Sequence, residues 1–355
     1  MSKELRAGII GCGKIAINHA DTLRDFTGAS LVAVCDNDAV RAKEFGRDHG
    51  VDAVFSDPDR FFAEADLDVV HICTPHPSHE PLVLAAARAG VHALCEKPLA
   101  VDVESADRMI AAADEAGIKL GTVFQRRYWP AARRIRAAID DGTLGTPILG
   151  DCTVLIHKNR AYFEEDAWRG RWDTDGGGVL MNQAIHYLDL LQWYMGPIVS
   201  VSGRIATLKH AGYIEVEDTA VATVEFEGGR LATIRATTAT DPSLGYRVTV
   251  TGDAGATLSV IESPIGGPGV NDVWAVRDAE EYSLPWSADT ESHPPQAEVH
   301  RALKPYHALQ VRDFLDAVVA DRTPEIDGVE GRKSLALVQA VYESARRNGE
   351  PVPLP

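Results

Sequence analysis

The chain has no cationic balance: 35 Lys and Arg face 52 Asp and Glu, a formal net charge of -17. Such a surface is repelled by phosphate backbones, which argues against a nucleic-acid partner. No apolar run reaches the length of about 18 residues that spans a bilayer, so no membrane partner is expected. The opening Met-Ser-Lys-Glu-Leu-Arg has no charged stretch leading into an apolar one, so no signal peptide is expected and the expected location is the cytoplasm. The 5 cysteines, Cys12, Cys35, Cys73, Cys95 and Cys152, are odd in number and form no Cys-x-x-Cys pair. They read as buried free thiols, with neither a disulfide framework nor a metal site. Internal repeats and low-complexity tracts are also missing. What remains is an ordinary globular composition, 45% hydrophobic and 25% charged over 355 residues, long enough for two domains with a core each.

Residues 1–125 alternate short apolar runs with helical patterns. Arg6–Ile10, Leu31–Cys35, Val69–Cys73, His92–Cys95 and Leu120–Phe124 read as strands. They are apolar without alternation, as parallel strands covered on both faces are. Amphipathic stretches at Asp38–Asp48, Pro81–Ala89 and Val103–Ala116 lie between them. Repeated βα units predict a doubly wound parallel Rossmann sheet of the α/β class. Over 126–355 the text changes to an α+β domain. Helices are predicted at Pro130–Asp141 and, buried, at Val179–Met195; strands at Pro147–His157, Thr219–Phe226, Leu231–Thr238 and Arg247–Thr251 suggest a large, mostly antiparallel open sheet. Ser287–Pro305 reads as a loop, and helices at Tyr306–Ala320 and Glu330–Arg347 close the chain.

The first strand runs into Gly11-Cys12-Gly13-Lys14-Ile15-Ala16, a G-x-G-x-x-A turn ahead of a helix. Gly11 permits the tight turn, Gly13 lets backbone approach a pyrophosphate, and small Ala16 lets helix pack on strand. The helix N-terminus adds N–H groups and a positive dipole end, with Lys14 and Ile15 in the turn itself. Asp36 ends the second strand, where a carboxylate accepts from ribose hydroxyls and repels a 2′-phosphate; Asn37 follows rather than a basic residue. This favours NAD over NADP. Asp36 also suits a helix cap. At the carboxyl ends of the later strands stand Thr74-Pro75-His76-Pro77-Ser78-His79, Glu96-Lys97-Pro98 and Gln125. Ligands bind at this edge of such sheets, so Thr74, Pro75, Glu96, Lys97 and Gln125 are expected at the cofactor. His79 is either a cofactor contact or a helix-start residue.

The other informative stretch is Gly176–Asp189. Three glycines allow close approach of backbone to a ligand. Asn182 and His186 are spaced to share one helix face, with Asp189 toward the same side, while Met181, Ile185, Leu188 and Met195 form the apolar stripe. The preceding Tyr162–Asp173 segment is expected to border the pocket. Trp168 and Arg169 are expected near the cofactor, and Tyr162 and Trp172 near the substrate; the alternative is a structured loop whose tryptophans fill gaps.

With Gly11–Ala16, Glu96-Lys97-Pro98 and Gly176–Asp189 in this order, the sequence resembles the glucose-fructose oxidoreductase/inositol dehydrogenase/MocA family over nearly its whole length. The resemblance implies a Rossmann domain followed by an α/β domain whose open sheet forms subunit contacts, hence a homodimer or homotetramer. It implies that Lys97 and His186 work on the substrate, and that the Lys97–Pro98 bond is cis in some relatives. It also brings Arg127 and His307 forward as substrate-side residues. Many members carry Asp where this chain has Asn182, so a relay through a carboxylate at that position is in doubt.

The chemistry expected is oxidation of a secondary hydroxyl of a sugar, sugar derivative or cyclitol, or reduction of the matching ketone. An imidazole titrates near neutrality and suits His186 as base, with Lys97 on the same oxygen. Two other readings stay open here: an NAD-dependent glycoside hydrolase working by transient oxidation, and a dinucleotide-binding sensor without turnover.

Overall fold

A computed structural model describes residues 4–276 and 296–354. The chain divides into two compact units, Met1–Gln125 with Leu303–Arg332 and Arg126–Ala302 with Lys333–Pro355.

The first unit is built on a six-stranded parallel sheet. Its strands are β1 (Leu5–Ile10), β2 (Ala29–Cys35), β3 (Ala53–Phe55), β4 (Val69–Ile72), β5 (His92–Cys95) and β6 (Leu120–Thr122), in the order β3-β2-β1-β4-β5-β6. The order reverses beside β1, which places a crevice at the carboxyl ends of β1 and β4. Helices α1 (Ala16–Arg24), α2 (Ala39–His49), α3 (Pro58–Glu64), α4 (His79–Ala89) and α5 (Val103–Ala116) connect the strands. Several starts are set by local chemistry. Asp38 accepts from the backbone N–H of Val40 and Arg41, Asp57 from that of Arg60 ahead of Pro58, and Asp102 from that of Ser105. The cap of α2 is thus Asp38, which leaves Asp36 for other work.

The second unit carries α6 (Pro130–Asp140), the short α7 (Arg160–Glu164), α8 (Ile185–Met195) and an eight-stranded sheet. Its strands are β7 (Pro147–Leu155), β8 (Ile198–Ala206), β9 (Thr219–Phe226), β10 (Arg230–Thr237), β11 (Gly245–Gly252), β12 (Thr257–Glu262), β13 (Trp274–Ala275) and β14 (Val352–Pro353). The order is β13-β12-β11-β7-β10-β9-β8-β14, antiparallel throughout except for the parallel pair β7–β10. Along β9 and β10 buried and exposed residues alternate, so one face is covered and the other bare.

Two expectations need correction. The closing helix α9 spans Gln296–Val319, so residues 296–305 of the expected loop are helical; the remainder of that loop within 277–295 lies outside the described residues. Pro305 lies inside this helix, where its ring removes one backbone donor, and Leu303 and His307 on either side are buried. Residues 303–332 also belong with the first unit rather than with a single domain over 126–355. Val311, Phe314 and Leu315 enter the same core as Ile9, Leu94 and Val123, and Thr122 donates its N–H to Ile326 O at 3.1 Å. The last helix, α10, runs from Gly328 to Arg346.

Candidate active site

The turn after β1 is shaped as the glycines require. Gly11 has φ +90, and a Cβ there would lie 2.7 Å from the Cys73 backbone. A Cβ on Gly13 would meet nothing within 4 Å, so backbone at that point faces open space. Asp36 is buried; its Oδ2 accepts Cys12 N–H at 2.8 Å and its Oδ1 accepts Asp38 N–H at 2.9 Å. The carboxylate therefore holds the glycine turn to the end of β2. Arg41, one helical turn on, comes within 3.5 Å of it, a neighbour that inspection of Asn37 alone does not find.

Around the same sheet edge, Thr74 Oγ1 and Gln125 Oε1 are buried and have no partner among the described residues. Buried polar atoms of this kind call for a ligand or water. Two orphaned atoms, an open glycine turn and a helix start fit a dinucleotide, with Lys14, Ile15 and Pro75 beside them. When bound, the nicotinamide supplies the hydride acceptor or donor.

Lys97 is half-buried at the carboxyl end of β5, and the Lys97–Pro98 peptide is cis. The Lys97 backbone N–H donates to Glu96 Oε2 at 3.1 Å. Glu96 itself turns inward, a correction to its expected cofactor role. Its Oε1 lies 3.1 Å from His19 Nε2 and 3.8 Å from His307 Nε2. Burial works to raise the Glu96 carboxyl, but His19, His307 and Lys97 outweigh it and bring it down to about 2. An ionised Glu96 only accepts, so His19 Nε2 carries the hydrogen. His19 Nδ1 lies 2.9 Å from His71 Nδ1, so the two rings share a hydrogen bond. His19 and His71 are not singled out by the sequence, where each is one polar residue inside an apolar pattern.

Two further candidate histidines are buried, and His79 is the first residue of α4, as its helix-start reading has it. His79 is wholly buried, with Nδ1 2.8 Å from Pro98 O and Nε2 2.9 Å from Thr74 O, so it ties the β4 and β5 loops together. His307 is buried beside His19, 3.2 Å from Leu303 O through its Nδ1.

In the second unit the glycine run enters a π-helical segment, Val179–Ala184, before α8 begins at Ile185. Such wide turns concentrate at functional sites, and they break the ordinary spacing of a helix face. Asn182 Nδ2 donates to Asp175 Oδ1 at 2.9 Å, whereas Asp189 is buried against Arg127. Arg127 makes a two-pronged pair with that carboxylate at 2.8 and 2.7 Å and lies over the Trp193 ring. Ser334 Oγ donates to the same Asp189 at 2.9 Å. His186 is buried at the first turn of α8.

What holds the glycine run is not legible in the sequence. Glu217, buried, accepts Gly178 N–H at 2.8 Å, Leu180 N–H at 2.9 Å and Tyr342 O–H at 2.9 Å, and its own carbonyl accepts Val179 N–H at 3.0 Å. A Cβ on Gly178 would overlap that carbonyl, and one on Gly177 would overlap the Tyr342 hydroxyl. The glycines are thus needed for close approach of protein to protein.

In the 162–173 segment, Gln183 Nε2 donates to Tyr162 Oη at 2.7 Å, and Trp172 donates to Glu215 O at 3.1 Å with its ring edge-on to Tyr342. Arg169 pairs with Glu165 and Asp166 and lies over the rings of Tyr162 and Trp168. Among the described residues no cluster of three or more metal-ligating side chains occurs, and no helix is long and apolar enough to cross a membrane.

Residues 5–124 match the family model for an oxidoreductase family with an NAD-binding Rossmann fold, and residues 132–257 match the GFO/IDH/MocA C-terminal domain. The chain is 29% identical to D-apiose dehydrogenase of Paraburkholderia graminis over 97% of this chain and 88% of that protein. It is 30% identical to myo-inositol 2-dehydrogenase of Thermotoga maritima over 65% of this chain and 67% of that one. Among solved structures, the WlbA dehydrogenase of Bordetella pertussis, in complex with NADH and UDP-GlcNAcA, superposes with a TM-score of 0.86 at 32% identity, covering 99% of this chain and 98% of that one. The chain belongs to the GFO/IDH/MocA family of oxidoreductases and carries that family's NAD-binding Rossmann fold.

Proposed function

We propose that this NAD-dependent oxidoreductase acts on a secondary hydroxyl of a sugar, a sugar derivative or a cyclitol, or reduces the matching ketone. The observation that carries the reading is Lys97, set by Glu96 at the carboxyl end of β5 on the sheet edge where Thr74 and Gln125 present orphaned polar atoms. The names of the relatives, which act on apiose and inositol, support the substrate class. His186 is assigned as the base that takes the hydroxyl proton, Lys97 as the cation that stabilises the reacting oxygen, and Asn182 as a hydrogen-bonding group for a hydroxyl. Tyr162, Trp168, Arg169 and Trp172 are assigned to the pocket wall.

The test is a panel of D-apiose, myo-inositol and UDP-GlcNAcA with NAD or NADP, and 1,5-anhydro-D-fructose with NADH or NADPH, followed by nicotinamide absorbance. Turnover of one of these with NAD in preference to NADP is expected. Silence throughout, with NAD binding intact, sinks the substrate assignment.

We further propose a homodimer or homotetramer assembled through the bare face of the second sheet. Leu149 on β7 and Leu231 on β10 are register partners, 52% and 55% exposed, and Val221 on β9 is 51% exposed. Side-by-side exposed leucines on a flat sheet favour a covering surface. Light scattering is expected to give two or four chains per particle, and Leu231→Arg to lower that number; a monomeric wild type rules the assembly out. The five cysteines, all free and buried, support a reducing, cytoplasmic setting.

A further inference from the structure

Asp175 has no role in the chemistry assigned above, yet it touches a residue that does. It is 2% exposed and immediately precedes the glycine run. Its Oδ2 accepts Gly170 N–H at 2.9 Å and its Oδ1 accepts Asn182 Nδ2–H at 2.9 Å. A carboxylate has no hydrogen to give, so it fixes which way a neighbouring amide turns. The nitrogen of Asn182 must face Asp175, and the carbonyl oxygen must lie on the opposite side of the planar group. A hydroxyl approaching from that side meets an acceptor.

We propose that Asp175 is a positioning residue for the reaction. It sets the polarity of the Asn182 amide so that a carbonyl oxygen is presented to a substrate hydroxyl. Through its second oxygen it also ties Gly170, in the loop between Trp168 and Trp172, to the helical segment that carries Asn182. The inference rests on the reading of Asn182 as a substrate-contacting residue. It also accounts for an amide at position 182: with Asp175 buried at this distance, a second carboxylate there would be a like charge in contact, and one of the two would have to take up a proton.

The experiment uses the full chain as wild type, Asp175→Asn, Asn182→Asp, the double variant and Asn182→Ala. Each is assayed with NAD and the member of the four-compound panel that is turned over. Asp175→Asn and Asn182→Asp are each expected to lower kcat/KM roughly ten- to hundredfold, the worth of one charge-assisted hydrogen bond, with NAD affinity unchanged. The double variant exchanges donor for acceptor and restores the pair, so its kcat/KM is expected severalfold above either single. Wild-type kcat/KM in Asp175→Asn, or a double no better than the poorer single, overturns the proposal. If Asn182→Ala is impaired while Asp175→Asn is not, only the positioning role falls. If Asn182→Ala is fully active, the substrate role of Asn182 falls and the proposal with it. A readout independent of turnover is the side-chain amide spectrum of 15N-asparagine-labelled protein, with Asn182 identified by its loss in Asn182→Ala. One of its amide protons is expected downfield and slow to exchange in wild type, and shifted upfield in Asp175→Ala. An unchanged Asn182 signal in Asp175→Ala overturns the proposal on its own.

Discussion

Lys97→Met is expected to reduce turnover by about a thousandfold or more while leaving NAD affinity within a few-fold of wild type. Methionine keeps the side chain as far as Cε and removes its charge and its three donors. The backbone around it is held independently: Glu96 takes the Lys97 N–H, and His79 bridges Thr74 O and Pro98 O on the flanking loops. The glycine turn, Asp36, Thr74 and Gln125, the groups proposed to hold the dinucleotide, are untouched by the change. Lys97→Arg separates the two things a lysine can do. Arginine retains a cation but does not release a proton near neutrality. Near-complete loss in that variant too means proton transfer at this position, whereas activity well above that of Lys97→Met means that charge alone suffices. Steady-state rates with the active panel compound and titration of NAD by protein fluorescence provide the two readouts. Wild-type turnover in Lys97→Met would remove the role assigned to this lysine.

The parts of the molecule legible from sequence are those decided locally. The parallel strands of the first unit show as unbroken apolar runs because both faces of each are covered. The turn at Gly11–Ala16 shows because a tight turn, an open backbone and a small residue are each demanded at a fixed offset from the first strand. What is illegible depends on partners far along the chain. Nothing near the arginine after the last Rossmann strand reveals that Asp189, 62 positions later, pairs with it. For His307 and His79 nothing in their sequence neighbourhood reveals that burial encloses them. The wider π-helical turn at Val179–Ala184 is illegible too, because a period of 3.6 residues is the default and no pattern announces the departure. Glu217 lies 39 residues after Gly178 and 125 before Tyr342, so its place at the start of this helical segment emerges only in three dimensions.

That placement makes Glu217 the most consequential residue outside the chemistry. Glu217→Ala is expected to destabilise the chain by about 3 kcal/mol or more, because the Gly178 and Leu180 N–H groups and the Tyr342 hydroxyl are left buried without an acceptor. Turnover should fall further than stability alone explains, since Asn182 and His186 follow directly from the segment these bonds hold. The dependence on pH has a definite sign. Burial raises the Glu217 carboxyl, against the bonds from Leu180, Tyr342 and Gly178 that lower it, and leaves it at about 7, above the ordinary 4.5 of a glutamate. The folded protein therefore holds this proton more tightly than the unfolded chain does. The stabilisation from a protonated Glu217 is complete below pH 4.5 and is lost as pH rises through about 7. Glu217→Gln cannot titrate and supplies the reference. Measured by urea unfolding, wild type is expected to lose of order 3 kcal/mol relative to Glu217→Gln between the two ends of that window, a tenfold change in proton affinity being worth about 1.4 kcal/mol. A stability difference between the two proteins that stays flat from acid to neutral pH would show that folding leaves the proton affinity of Glu217 unchanged, the bonds from Gly178, Leu180 and Tyr342 offsetting burial. Glu217 would then be an anion at neutral pH at the start of the helical segment, with the burial cost met by those three donors.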